Sequence, residues 1–193
     1  MKIFTHVGTT LAVTMLAATL PAYVHAEKAD RDKPLFFEAD HGEELTSTTG
    51  AETRMLQGNV LITQGTLHIN AHKLILQRDQ EGFRFGEAFG STTKQASFKQ
   101  KREGKEDFIE AFADRVEYDE KNGIVQLFSK VQVTTGQGEF TSEYARYNLN
   151  NDEFKLDGSI PGSKTGFSTD APKRVKGVIY PQNRTTDDKK GSR

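Results

Sequence analysis

Apolar and polar residues alternate along most of this chain. From Leu35 onward the apolar positions fall on every second residue: Val60 and Ile62, then Leu67, Ile69 and Ala71, then Leu74 and Leu76, then Phe83 and Phe85. The same spacing returns in Ile109, Ala111 and Ala113, in Val116 and Tyr118, in Val131 and Val133, and in Phe154 and Leu156. Successive side chains of a strand point to opposite faces, so a period of two predicts strands with one buried face. Turn residues separate the runs: Asp79 to Gly82, Asn122-Gly123, Asn150 to Asp152, and Asp157-Gly158. Asn122-Gly123 predicts a type I′ hairpin. No long stretch carries apolar residues at three-four spacing. The pattern predicts an all-β body with a dozen or more short strands of about 5–6 residues.

The strands repeat. Val60 to Gly65 (VLITQG) resembles Val131 to Gly136 (VQVTTG), an offset of 131 − 60 = 71 positions, and Ile69 to His72 (INAH) matches Phe140 to Glu143 (FTSE) at the same offset. Phe37 to Asp40 (FEAD) and Ala111 to Asp114 (AFAD) are two further copies. Each copy reads apolar residue, spacer, small residue, then an acid or His. Such self-similarity predicts one supersecondary unit stacked repeatedly. The small residue lets layers approach closely, and the acid or His marks where a strand leaves the core. Layers of this kind close into a long flattened jelly-roll or β-taco.

The ends differ from the body. Val7 to Leu20 is apolar or small, Pro21 breaks it, and Val24-His25-Ala26 has the small-residue spacing of a cleavage site. This predicts a signal peptide over residues 1–26, too short and Thr-rich for a comfortable membrane span. Removing it leaves 193 − 26 = 167 residues. Residues 27–33 are charged and predict a flexible lead-in. The body runs over 34–180, and residues 181–193, almost without apolar side chains, predict a disordered tail. Gln100 to Asp107 (QKREGKED) predicts a solvated hairpin tip.

Composition narrows function by exclusion. The chain has 193 residues, no cysteine, and 26 Lys+Arg against 27 Asp+Glu. That excludes a disulfide framework, a thiolate metal site and a cysteine nucleophile. A net charge of -1 argues against nucleic acid as a partner. His68 and His72 stand four apart, which on a strand is about 13 Å, too far for one metal ion. Gly158 to Thr165 (GSIPGSKT) lacks the order of a phosphate-binding loop, and Gly136 and Gly138 suit a bulge or hairpin. Asp40 and Asp114 offer paired carboxylates, but they belong to the repeat. No catalytic constellation, metal site or cofactor site emerges, so the expectation is a non-enzyme.

What remains is an apolar interior. Phe37, Phe83, Phe85, Phe98, Phe128, Phe140 and Phe154 are many rings for a thin sandwich. They fill a Phe-rich core, which composition alone favours, or line a groove if one long side stays open. A groove would suit alkyl chains, each buried methylene contributing about 0.8 kcal/mol.

Four segments resemble the LptA/OstA family of periplasmic lipopolysaccharide-transport proteins. They are Pro34 to Asp40 (PLFFEAD), Gly58 to Ala71 (GNVLITQGTLHINA), Ala113 to Val133, and Lys173 to Pro181 (KRVKGVIYP). His72 stands where the family usually has Asp, and Ser142-Glu143 replaces another Ala-Asp. The resemblance implies a twisted antiparallel β-jelly-roll, open at both ends, in the periplasm. It implies binding of the lipid A part of lipopolysaccharide, and passage from an inner-membrane partner of OstA-like fold to the N-terminal domain of an outer-membrane translocon. It also implies head-to-tail self-association through edge strands and no cofactor. Carried onto this chain, the groove residues are Leu35, Phe37, Ile62, Ile69, Phe85, Phe98, Tyr118, Leu127, Val133, Phe140 and Phe154. The partner edges are Leu35, Phe36, Phe37 and Glu38 at one end and Val175, Val178, Ile179 and Tyr180 at the other. Lys73, Arg115 and Arg174 are candidate phosphate contacts at the rim. Two other readings stand beside this one: a membrane-anchored paralogue receiving lipid at the inner membrane, and a closed-core β-solenoid that binds carbohydrate or serves adhesion.

Overall fold

The structure, a computed structural model, describes residues 30–46, 51–79, 82–162 and 173–181. The signal-peptide segment, residues 27–29 of the lead-in, and residues 182–193 of the tail lie outside the described residues. Among the described residues twelve strands follow one another: β1 (Phe36–Glu38), β2 (His41–Thr46), β3 (Glu52–Gln64), β4 (Leu67–Asp79), β5 (Gly82–Phe89), β6 (Ala96–Lys101), β7 (Phe108–Ala113), β8 (Arg115–Asp119), β9 (Ile124–Thr135), β10 (Gly138–Asn148), β11 (Glu153–Asp157) and β12 (Lys176–Ile179). All pairings are antiparallel.

The pairings resolve into two facing sheets of eight strands. One runs β2, the first half of β3, the second half of β4, β5, β8, the first half of β9, the second half of β10, β11. The other runs β1, the second half of β3, the first half of β4, β6, β7, the second half of β9, the first half of β10, β12. Each layer of the stack therefore gives one segment to each sheet. Four strands are 11 to 13 residues long because each bends at a corner and serves both sheets. The sequence predicts shorter strands; the two halves of each long strand carry its period of two, and the corner between them is a bend, not a turn.

The corners explain the repeated acid or His. Asp40, His72, Asp114 and Glu143 all sit where the chain crosses from one sheet to the other. At the first corner the backbone N–H of Asp40 donates to Gly58 O at 3.0 Å and Asn59 Nδ2 donates to Asp40 Oδ2 at 3.0 Å. Gly58 has φ +80, and a Cβ there would overlap the Asp40 carboxylate, so glycine is required on two counts. At the third, Asp114 accepts from Gln95 Nε2 (3.2 Å) and pairs with Lys130 Nζ (3.0 Å), while its backbone N–H donates to Ser129 O. Ser129 and Lys130 both take positive φ, and the Asp114 side chain holds that bend.

Asn122-Gly123 does not form the expected type I′ turn. Asp119 pairs with Ile124, so the connection has four residues, and the Asp119 carboxylate accepts from the backbone N–H and Nδ2 of Asn122. That side-chain hold competes with the tight turn. β4 and β5 pair up to Asp79 and Gly82, on either side of residues 80–81, which lie outside the described residues, and the hairpin expected at Gly136 forms as read.

Candidate functional site

Inward-facing residues line up across the strands, since antiparallel partners share a face. In one sheet a single row runs Phe37, Ile62, Ile69, Phe98, Ala111, Val133, Phe140 and Gly177, crossing all eight strands. A Cβ on Gly177 would come within 2.6 Å of the Phe140 ring, so that ring occupies the space the glycine leaves. The facing sheet offers two rows. One is Leu56, Leu74, Ala88, Val116, Leu127, Ala145 and Leu156; the other is Arg54, Leu76, Gly86, Tyr118, Val125, Tyr147 and Phe154. Together with Leu35, which packs against the core, these rows contain every residue expected in the groove except Phe85.

Phe85 faces outward. Its partners are Gln77 and Asp119, and its neighbour Gly86 faces in, where a Cβ would meet Phe83 Cζ at 3.3 Å. A register shift between Gln77 and Arg78 leaves Arg84 as an extra residue on β5, and one residue of slip exchanges the faces. The ring inside is Phe83, 6.0 Å from Tyr118. Phe128 is also outside, sandwiched between Tyr144 (5.3 Å) and the Arg115 guanidinium (4.0 Å). Two of the rings that made the interior look over-supplied are thus surface rings.

The interior is nearly full where Leu35, Ile62, Leu67, Ile69, Leu74, Leu76, Phe83, Val116 and Tyr118 meet: the free space of about 10 Å³ takes one water molecule at most. Here the side chains fill a core, the first of the two arrangements the composition allowed. Space opens at the β1–β2 end, where Leu35, Phe37, Leu76 and Phe83 form the apolar wall of a cavity of about 370 Å³ rimmed by Glu52, Arg54 and Arg78.

Away from the corners, hairpin tips of the two sheets face one another, and they are latched. Arg102, on the β6–β7 tip, is buried. Its Nε and Nη2 donate to the two Asp152 carboxylate oxygens at 2.9 and 2.8 Å, and its Nη1 donates to Asp107 at 3.0 Å. Asp152 lies on the β10–β11 tip of the other sheet and also holds Lys105 Nζ (2.6 Å) and the Tyr147 hydroxyl (2.8 Å). Burial alone would raise the Asp152 pKa; hydrogen bonds from Arg102, Lys105 and Tyr147 outweigh it and hold the carboxyl below its ordinary range. Burial opposes the Arg102 charge, and the bonds to Asp152 and Asp107 more than restore it. The tip expected to be solvated is therefore a clasp between sheets.

Within the lead-in, Asp30 is buried and accepts from the Thr66 backbone N–H (3.0 Å) and hydroxyl, while Arg31 Nη2 donates to Asn150 Oδ1 (3.3 Å) on the opposite sheet. Gln64 Nε2 donates to the carbonyls of Arg31 and Lys33. Residues 30–33 form a strap across the same side, not a free arm.

The ends are apolar edges. Phe36 is 65 % exposed and Phe37 43 % at one end; Val178 is 60 % and Ile179 77 % exposed at the other. Val175 is exposed beside β12, and the Tyr180 hydroxyl donates to Glu139 Oε1 at 2.6 Å. Glu38 on β1 pairs with Leu61 on β3, whereas Leu35 packs against the core. The sheet that contains β5 and β8 ends on two further strands: β2, which the alternation did not reveal, and β11, whose Phe154 and Leu156 it did.

Candidate rim cations lie off the interior. Lys73 sits next to inward Leu74 and faces out, Arg115 pairs with Glu87 (3.6 Å) and Glu117 (2.5 Å) on the outer surface, and Arg174 is exposed before β12. His68 pairs across from Lys99, and His72 occupies a corner. Asp40 and Asp114 are four layers apart, roughly 19 Å at the usual strand spacing of about 4.8 Å, beyond the separation of a glycosidase carboxylate pair.

Residues 38–153 match the family model described as "LptA/(LptD N-terminal domain) LPS transport protein". The chain is 28% identical over 183 residues to the lipopolysaccharide export system protein LptA of Escherichia coli K12, covering 94% of this chain and 88% of that one. The LptA of Shigella flexneri matches equally. Among solved structures, LptH of Pseudomonas aeruginosa, titled the LptA homologous periplasmic component of the lipopolysaccharide transport device, superposes with a TM-score of 0.67 at 24% identity. That match covers 79% of this chain and 99% of LptH, and at that identity it shows the fold.

Proposed function

This chain belongs to the LptA/(LptD N-terminal domain) family of LPS transport proteins, and we propose that it carries the lipid A part of lipopolysaccharide through its interior as a periplasmic bridge. Members of this family are non-enzymatic transport proteins. The observation that carries the proposal is the inward row from Phe37 to Gly177, which crosses every strand of one sheet and reaches both ends. Such a row supplies a continuous apolar track, and exposed apolar edges at both of its ends suit strand addition by a second β-protein. The proposed partners are an inner-membrane protein of OstA-like fold, the N-terminal domain of an outer-membrane translocon, and further copies of this chain joined head to tail. Pairing of one copy's β12 with the next copy's β1 is heterologous and does not close. The groove contacts proposed are Phe37, Ile62, Ile69, Phe98, Tyr118, Leu127, Val133, Phe140 and Phe154.

Because side chains fill the core, carriage requires the two sheets to part. Burying an acyl chain of a dozen methylenes contributes on the order of 10 kcal/mol, enough to offset separating a few packed side chains. Photo-crosslinking from position 37 or 140 in cells tests the proposal. Adducts containing lipopolysaccharide are expected from both, with none from an outward control at position 85. Absence of adducts from 37 and 140, or equal yield from 85, overturns it.

A further inference from the structure

We infer that the β1–β2 end holds a site for the anionic headgroup of an amphiphile, in which Arg54 selects the anion while Leu35, Phe37, Leu76 and Phe83 take its alkyl chain. The inference deepens the carrier reading and rests on it. Arg54 belongs to an inward row: its antiparallel partner is Leu76, a core residue. Its guanidinium lies 5.1 Å from the centroid of the Phe37 ring, which comes from the opposite sheet. A charged group is thus built into the wall of the apolar cavity of about 370 Å³, a size in the range of small-ligand pockets. Arg78, beside it, also lines the cavity.

Both cations are provisionally satisfied. Arg54 pairs with Glu44 on β2, and Arg78 Nη1 lies 3.5 Å from Glu52 Oε2. These pairs are partly exposed, with 34% and 46% of the Arg54 and Glu44 side chains accessible, and exposed pairs contribute little. A phosphate brings more charge than a carboxylate and matches the guanidinium fork with two parallel bonds. It takes Arg54 from Glu44, whose position on the terminal strand β2 lets its carboxylate turn to water. The Phe37 ring beneath holds the guanidinium in place. A neutral headgroup makes no such exchange with the guanidinium.

Titration calorimetry of the chain without residues 1–26 tests this with three twelve-carbon probes below their micelle concentrations: dodecyl phosphate, dodecanoate and dodecyl maltoside. Dodecyl phosphate is expected to bind about tenfold tighter than the maltoside, the scale of one charge-assisted bidentate contact. Arg54→Leu should remove that preference, bringing dodecyl phosphate to the level of the maltoside. Glu44→Gln, which frees Arg54, should widen the preference. Dodecanoate matching the phosphate supports the anion site and extends it to carboxylates. Persistence of the phosphate preference in Arg54→Leu, or equal weakening of all probes, overturns the inference while leaving the carrier reading standing. Binding of none of the three by the unsubstituted chain overturns both.

Discussion

Replacing Arg102 by Leu should uncouple the two sheets on their latched side. The side chain is 8% exposed and Asp152 15%, so solvent screens the pair poorly. Removing one partner of a buried pair costs about 3–5 kcal/mol, because the other charge stays behind in low dielectric. Here Asp152 keeps Lys105 at 2.6 Å and the Tyr147 hydroxyl at 2.8 Å, and Asp107 keeps the Gly136 N–H at 2.9 Å. Those remaining partners reduce the loss to about 2–3 kcal/mol by the same reasoning. For a domain of this size that lowers Tm by roughly 5–10 °C. Urea unfolding at pH 7 reads the loss as a lower midpoint at constant slope. Lys101→Gln is the control: its pair with Glu106 lies on the same hairpin, but Glu106 is 97% exposed, and the expected change is under about 0.5 kcal/mol. An Arg102→Leu loss below about 0.5 kcal/mol, or a Lys101→Gln loss as large, would refute the clasp.

Acid should weaken the same clasp. Asp152 has its pKa lowered in the folded chain, so its contribution is complete above the ordinary carboxylate value of about 4 and fades as pH falls through the lower folded value; the stability gap between the parent chain and Asp152→Asn should shrink in acid, and a constant gap from pH 7 to 2 would contradict it. Phe98→Ala removes a fully buried ring from the centre of the inward row and is expected to cost about 3–5 kcal/mol in urea unfolding. Gly177→Val would press on Phe140, which a Cβ there already meets at 2.6 Å; light scattering should show weaker self-association with the melting temperature little changed, and unchanged assembly would speak against β12 as the donating edge.

Much of this architecture was written in the alternation of residues, and the repeated acid or His marked the corners because a strand changing sheets needs a polar side chain to hold its bend, as Asp114 does for Ser129 and Lys130. What sequence could not show depends on counting across breaks or joining distant tips. One extra residue, Arg84, put Phe85 outside. The charge run from Gln100 to Asp107 looks like any solvated tip until Asp152, 50 positions from Arg102, is brought against it by the opposite sheet. The alternation does not single out Arg54, and its inward aspect follows from its pairing with Leu76. One signal existed: Arg54 stands two residues before the core residue Leu56 and so shares its face of β3.

The stack has an even number of layers, and this has a consequence for polarity. With strand direction reversing at every step, the first and last strands of each sheet run oppositely. A copy laid beneath another therefore meets it in the ladder geometry already used inside, in both sheets at once. The offset of 71 residues corresponds to four layers, from β3 to β9, also even. Lengthening by that unit keeps every corner on the same side, so a longer protein and a longer chain of proteins obey one rule of direction.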